Sequence, residues 1–103
     1  MPNALIQYMG YLIYFWGSDG SEPVHVHVSK SKQKNATKFL VTSEGIELAN
    51  DTGSVDKKDM KAILAYLRAN RESIIMSWVE FFGKAELKRG IISGILTSET
   101  GQY

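Results

Sequence analysis

The chain contains two histidines, His25 and His27, and both lie within the valine-rich residues 24–28. Alternating valine and histidine predicts a β-strand, because β-branched residues favour that conformation. Side chains alternate across a strand, so the two imidazoles share one face and the valines share the other. Their α-carbons would lie about 6–7 Å apart. The two rings could therefore act on one proton or on one ligand.

Three interpretations of this histidine pair remain open. In the first, the imidazoles act as acid and base, as in RNA cleavage at a 2′-hydroxyl, while Lys38 or Arg71 contacts the phosphate. In the second, the pair chelates a metal ion, which requires further ligands such as Asp19 and Glu22. In the third, the rings are structural and bond to a carboxylate or to the backbone. Since the sequence offers no assured third ligand, we predict no metal and no cofactor.

Composition restricts the class of protein. A length of 103 residues, 44% of them hydrophobic, predicts one domain with a modest core. A net charge of +1 gives no general electrostatic argument for nucleic acid or membrane binding. The lack of cysteine excludes disulfides, thiolate metal sites and a cysteine nucleophile, and it is typical of a reducing compartment. The N-terminal apolar stretch is too short for a membrane span. We therefore expect a cytoplasmic protein without membrane contact.

The first half of the chain predicts an antiparallel sheet of three to four strands. We expect these strands at residues 8–16, 24–29, 36–42 and 46–49, after a lead-in at residues 1–7. Short polar segments with turn-forming residues separate the strands. Successive strands with short links favour an antiparallel meander.

The second half predicts one long helix over residues 56–82. At about 100° per residue, its apolar side chains fall on one stripe of the width that a core-facing helix needs. The stripe consists of Met60, Ile63, Leu64, Leu67, Ile74, Ile75, Trp78, Phe81 and Phe82. Its phase continues through Asn70, which favours one helix over two, and Gly83 is a natural stop. The predicted fold class is therefore α+β, with the helix packed across one face of the sheet.

One cation falls on the apolar stripe, namely Arg71. A buried guanidinium must be paired, and the candidate partners are Asp19, Glu22 or a bound anion. Such pairing would form a His–His–Arg cluster between sheet and helix. Alternatively, Arg71 extends its guanidinium to solvent at the sheet edge, or a helix break at Asn70 shifts the phase.

Two further features have a structural and a functional interpretation. The basic residues 30–34 predict a solvated hairpin turn, with a phosphate-contacting patch near the histidines as the alternative. The aromatic side chains of residues 8–16 predict core packing, with base stacking as the alternative.

Three segments carry a combined pattern that resembles a known family. They are Phe15-Trp16-x-x-Asp19-Gly20-x-Glu22-Pro23-x-His25-Val26-His27-Val28, Ala36-x-Lys38-Phe39, and Asn70-Arg71-Glu72-x-Ile74-Ile75-x-x-Trp78-x-Glu80-x-Phe82-Gly83. Within residues 8–83, the pattern resembles domain of unknown function 4160, a family of small bacterial proteins with a Pro-x-His-x-His-Val signature. The chain departs from the family at Val24, where a second proline is usual.

This resemblance implies a function for the chain. Family members are often encoded beside a second small protein, and the pair has been proposed as a toxin–antitoxin module. The resemblance thus implies a toxin-like component with a small protein partner, which acts on RNA or on translation. The candidate catalytic residues are His25, His27, Lys38 and Arg71. The candidate binding residues are Asp19, Glu22 and Trp78, and Pro23 belongs to the signature.

The alternative function is a non-catalytic module that binds and inhibits a partner protein. Its contacts would come from the helix and from the C-terminal tail. We expect one domain over residues 1–83 and a C-terminal extension over residues 84–103, which lies outside the resemblance. The sequence favours no particular oligomeric state.

Overall fold

The computed structural model describes residues 2–31 and 33–87. These residues form the strands β1 (Pro2–Tyr8), β2 (Tyr11–Trp16), β3 (His25–Ser29), β4 (Thr37–Val41) and β5 (Ile46–Asn50), and the helices α1 (Lys57–Ala69) and α2 (Arg71–Phe82). A short 3-10 turn at Asp19–Ser21 lies between β2 and β3. The strands pair antiparallel in chain order from β1 to β5. The predicted α+β class is therefore confirmed. Residues 88–103 of the predicted extension lie outside the described residues.

The sheet has five strands, so the prediction of three to four was wrong at the N-terminus. Most of the predicted lead-in belongs to β1, and the predicted first strand contains a hairpin turn. At this turn Met9 and Gly10 have φ angles of 55° and 83°. Two successive residues with positive φ are what a tight hairpin turn needs. The turn was not predicted because the surrounding residues are aromatic and apolar, which is typical of a continuous strand.

The prediction of one long helix was also wrong. Asn70 separates α1 from α2, with φ −109° and ψ 18°, outside the helical range. Its side-chain amide donates to the carbonyl of Tyr66 at 2.9 Å and so satisfies one of the last carbonyls of α1. Because the break involves one residue, the apolar periodicity continues across it. The sequence pattern therefore gave no sign of a second helix. Within the described residues, no helix is long and apolar enough to span a membrane.

The helices and the valine face of β3 share one hydrophobic core. Its buried members from the sheet and its flanks include Tyr11, Ile13, Phe15, Val24, Val26, Val28, Phe39 and Val41, and those from the helices are Ile63, Leu67, Ile74 and Trp78. The histidines alternate with these valines along β3, as predicted. The helices thus pack on the valine side of the strand. The imidazoles lie on the other side, where loop residues and Trp78 of α2 contact them.

The 3-10 turn packs against the end of α2. A β-carbon on Gly20 would lie 2.5 Å from Cδ1 of Phe82, so only glycine allows this approach without a shift of the ring. The helix ends at Gly83, whose φ of 85° is the left-handed C-terminal stop that the sequence predicted. The following chain returns to β3, where the Val24 amide donates to the Glu86 carbonyl at 2.8 Å. These contacts fix the position of Asp19 relative to the histidine strand.

Candidate functional site

Both histidines meet the carboxylate of Asp19. Its Oδ2 lies 3.0 Å from Nε2 of His25 and 3.5 Å from Nε2 of His27. The backbone N–H of Trp16 donates to the same oxygen at 2.9 Å. The imidazole centroids are 5.0 Å apart and the ring planes are nearly perpendicular. We call Asp19, His25 and His27 the Asp–His–His cluster.

The cluster is buried. His25 is 1% exposed, Asp19 is 8% exposed and His27 is 9% exposed. The indole of Trp78 covers His25, with centroids 5.2 Å apart, and the ring of Tyr14 lies 5.8 Å from that of His27. Low local polarity strengthens the electrostatic contacts within such a cluster and makes an unpaired member costly. Each polar atom in it therefore depends on the others.

The two ring nitrogens of His25 face different acceptors. Nδ1 lies 2.9 Å from the carbonyl oxygen of Pro23, which can only accept, so Nδ1 carries a proton. Nε2 faces the Asp19 carboxylate, which also only accepts when it is ionised. The second contact is favourable only with a proton or another cation between Nε2 and the carboxylate oxygen. Glu22 is more distant, with Oε1 3.9 Å from Nδ1.

His27 has a different environment. Burial lowers the pKa of this imidazole below its ordinary value of 6.5, and the neighbouring His25 lowers the pKa further. The charge of Asp19 acts in the opposite direction, and the charge of Lys38 again lowers the pKa. The Nδ1 atom is buried and has no hydrogen-bond partner among the described residues. His27 is therefore a neutral ring at neutral pH, and one of its nitrogens is buried without a hydrogen bond to the described residues.

An open cleft of about 440 Å³ lies beside the cluster. Its lining consists of Trp16, Gly17, Ser18, Asp19, His27 and Lys34. This volume is within the range of about 300–1,000 Å³ that is usual for ligand pockets. His27 and Asp19 border the cleft and His25 does not. Lys34 belongs to the basic turn for which a phosphate contact was one interpretation, although it was not selected as a site residue.

Lys38 and Glu22 pair with each other at 2.9 Å. Lys38 lies opposite His27 in the register between β3 and β4, so its ammonium charge is close to the cluster. Both side chains of the pair are partly exposed, and such pairs contribute about 0–1 kcal/mol to stability. The structure thus brings these two candidate residues to the rim of the cluster, where Lys38 stays within reach of solvent.

Arg71 has a partner other than the carboxylates considered in the sequence. Its Nε and Nη2 both donate to the carbonyl of Thr42, at 3.2 and 2.6 Å. In residues 2–31 and 33–87, no ion pair joins Arg71 to Asp19 or Glu22. The guanidinium instead ties the start of α2 to the end of β4. Trp78, about two helical turns later, is the α2 residue that contacts His25.

Comparison with known families places this site in context. A family model described as Domain of unknown function (DUF4160) matches residues 10–79. The chain belongs to this family. The DUF4160 match spans the Asp–His–His cluster and β2 to β5, and it confirms the resemblance found in the sequence. No curated protein and no solved structure shows significant similarity to the chain.

Proposed function

We propose that this DUF4160 protein is a toxin-like component of a bacterial toxin–antitoxin module that cleaves RNA, with His27 as the proton-transferring residue. One observation supports the chemistry most: His27 contacts the Asp19 carboxylate on one side and borders an open cleft on the other. An imidazole oriented by a carboxylate is the usual arrangement of a histidine general base. The assignment of the chain to a toxin–antitoxin module rests on the family resemblance.

The proposal gives each member of the cluster a separate role. His27 borders the cleft and accepts the proton of an RNA 2′-hydroxyl, whose oxygen then attacks the adjacent phosphorus. The P–O5′ bond breaks, and the leaving 5′-oxygen takes up a proton from the solvent of the open cleft. Asp19 orients the ring and stabilises the imidazolium that forms. His25 is too deeply buried to meet a substrate, so it acts as a positioning residue that holds Asp19.

Positive charge near His27 is suited to a phosphodiester. Lys34 lines the cleft, and Lys38 lies at the rim of the cluster. Cations placed beside a reacting phosphate stabilise the charge that develops in the transition state. Arg71 has no part in this scheme, because its Nε and Nη2 atoms both donate to the Thr42 carbonyl.

Expression of the chain from an inducible promoter in a bacterial host tests this function. We expect growth arrest with the wild type and none with His27→Gln, since glutamine has about the size of histidine but cannot take up a proton near neutral pH. Lys61→Gln, an exposed position on α1, is the control and should arrest growth normally. Equal arrest by a folded His27→Gln variant would overturn the proposal.

A second candidate function is the non-catalytic interaction module, and the outer side of α2 favours it. Met76 is 60% exposed and Phe81 is 52% exposed, and Val79 is also exposed. Met76 and Val79 are one helical turn apart and so lie next to each other, and neighbouring exposed apolar side chains can mark a protein contact. The family resemblance implies a second small protein encoded beside this one. We expect such a partner to co-purify with the chain, and Met76→Glu to weaken its binding at least about tenfold, which corresponds to about 1.4 kcal/mol.

Expression of the chain with and without its partner separates the two functions. If the module is non-catalytic, His27→Gln keeps full partner binding and the wild type does not arrest growth without the partner. If Met76→Glu binds the partner as tightly as the wild type does, α2 is not the contact surface.

A further inference from the structure

Three potential metal ligands converge in the Asp–His–His cluster. Asp19, His25 and His27 each offer one ligand atom, and these atoms all lie within 4.8 Å of one another. The two distances from the Asp19 oxygen, 3.0 and 3.5 Å, resemble those between neighbouring ligands of a small cation. Metal–ligand bonds of about 2.0–2.1 Å in tetrahedral geometry place neighbouring ligands about 3.3 Å apart. The cluster is therefore close to the geometry of a metal site.

The hydrogen bond of His25 to the backbone supports the same conclusion. Its Nδ1 donates to the Pro23 carbonyl, which leaves the Nε2 lone pair facing Asp19 in the neutral ring. Metal-bound histidines commonly make this second bond to a carbonyl, because it fixes the tautomer and the ring orientation. A lone pair that faces a carboxylate is repelled by it, and either a second proton on the ring or a metal ion between the two atoms removes this repulsion.

We propose that Asp19, His25 and His27 bind one divalent transition metal ion of the zinc class. Two imidazoles and one carboxylate form a ligand set typical of zinc and non-haem iron sites, whereas Mg²⁺ and Ca²⁺ prefer oxygen ligands. The backbone N–H of Trp16 holds the Asp19 oxygen in place. The sequence lacked an assured third ligand, and the carboxylate of Asp19 meets that requirement.

Metal binding would regulate the proposed RNA cleavage. The ion would bind the Asp19 oxygen and the His27 Nε2, so the carboxylate could no longer orient the base for proton transfer. Zinc should therefore inhibit cleavage and a chelator should restore it. This regulatory consequence rests on the proposed function, whereas the binding of the ion does not and can be measured without any activity.

Calorimetric titration of the full chain, without a histidine tag and stripped of metal, tests the site. We expect Zn²⁺ to bind at one ion per chain and Mg²⁺ to give no heat at the same concentrations. Asp19→Asn and His27→Gln should each weaken Zn²⁺ binding at least about tenfold. Glu80→Gln, an exposed position on α2, is the matched control and should bind as the wild type does.

A second measurement on the wild type removes the dependence on variants that fail to fold. The chain has only two histidines, so long-range ¹H–¹⁵N spectra assign their four ring nitrogens directly. We expect Zn²⁺ to shift the Nε2 resonances of both His25 and His27. Unchanged Nε2 resonances, or a stoichiometry well below one ion per chain, would overturn the proposal. Binding of zinc by a chain that does not cleave RNA would keep the metal site and reject the proposed function.

Discussion

Replacing Asp19 by alanine is expected to lower the free energy of unfolding by about 3–5 kcal/mol, because it leaves buried partners without an acceptor. The lost partners are the backbone N–H of Trp16 and the Nε2 atoms of His25 and His27. His25 is 1% exposed, so its Nε2 depends on this carboxylate for a partner. The same substitution should abolish growth arrest, since His27 loses the group that orients it.

Urea unfolding followed by circular dichroism measures the change at Asp19. Glu80→Ala is the control, because this exposed carboxylate has no ion pair within the described residues, and its substitution should change stability by less than about 0.5 kcal/mol. A loss below about 1 kcal/mol for Asp19→Ala would contradict the central position of this carboxylate.

Replacing Trp78 by alanine should lower the free energy of unfolding by about 3–5 kcal/mol, as for other large core side chains. Trp78 is 1% exposed, and its ring lies 5.0 Å from Phe15, 4.6 Å from Phe82 and 5.2 Å from His25 by ring centroids. Its removal opens a cavity beside the histidine, so His25 should also lose its fixed orientation.

Far-UV circular dichroism is the appropriate probe for this variant, because the substitution removes one of the two tryptophans of the chain. Met76→Ala serves as the comparison, since Met76 is 60% exposed on the same helix and should cost less than about 1 kcal/mol. Similar losses for the two variants would show that Trp78 does not carry the packing between α2 and the sheet.

The sequence contained the information for the class of fold. Period-two alternation around His25 and His27 predicted that both imidazoles share a face, and the valines that alternate with them enter the core as expected. The hairpin turn at Met9 and the break at Asn70 were missed because each depends on one or two residues. Hydrophobic periodicity is insensitive to such short interruptions, particularly where the phase is nearly kept.

The arrangement of the site was less predictable. Asp19 and Glu22 were candidate binding residues, but the contact of Asp19 with both histidines depends on the packing of Gly20 against Phe82, which are far apart in the sequence. Arg71 binds the carbonyl of Thr42, and a backbone acceptor has no signature in residue types. Residue patterns therefore identify the chemical groups, whereas long-range packing decides which of them meet.

Incubation of purified chain with total bacterial RNA tests the central claim most directly. Attack by a 2′-hydroxyl leaves a 2′,3′-cyclic phosphate, so the ends of the fragments report the chemistry as well as the cleavage. We predict fragments with cyclic phosphate ends from the wild type and from Lys61→Gln, and intact RNA from His27→Gln. Intact RNA with the wild type, or equal cleavage by a folded His27→Gln variant, would contradict the claim that the Asp–His–His cluster is a catalytic site.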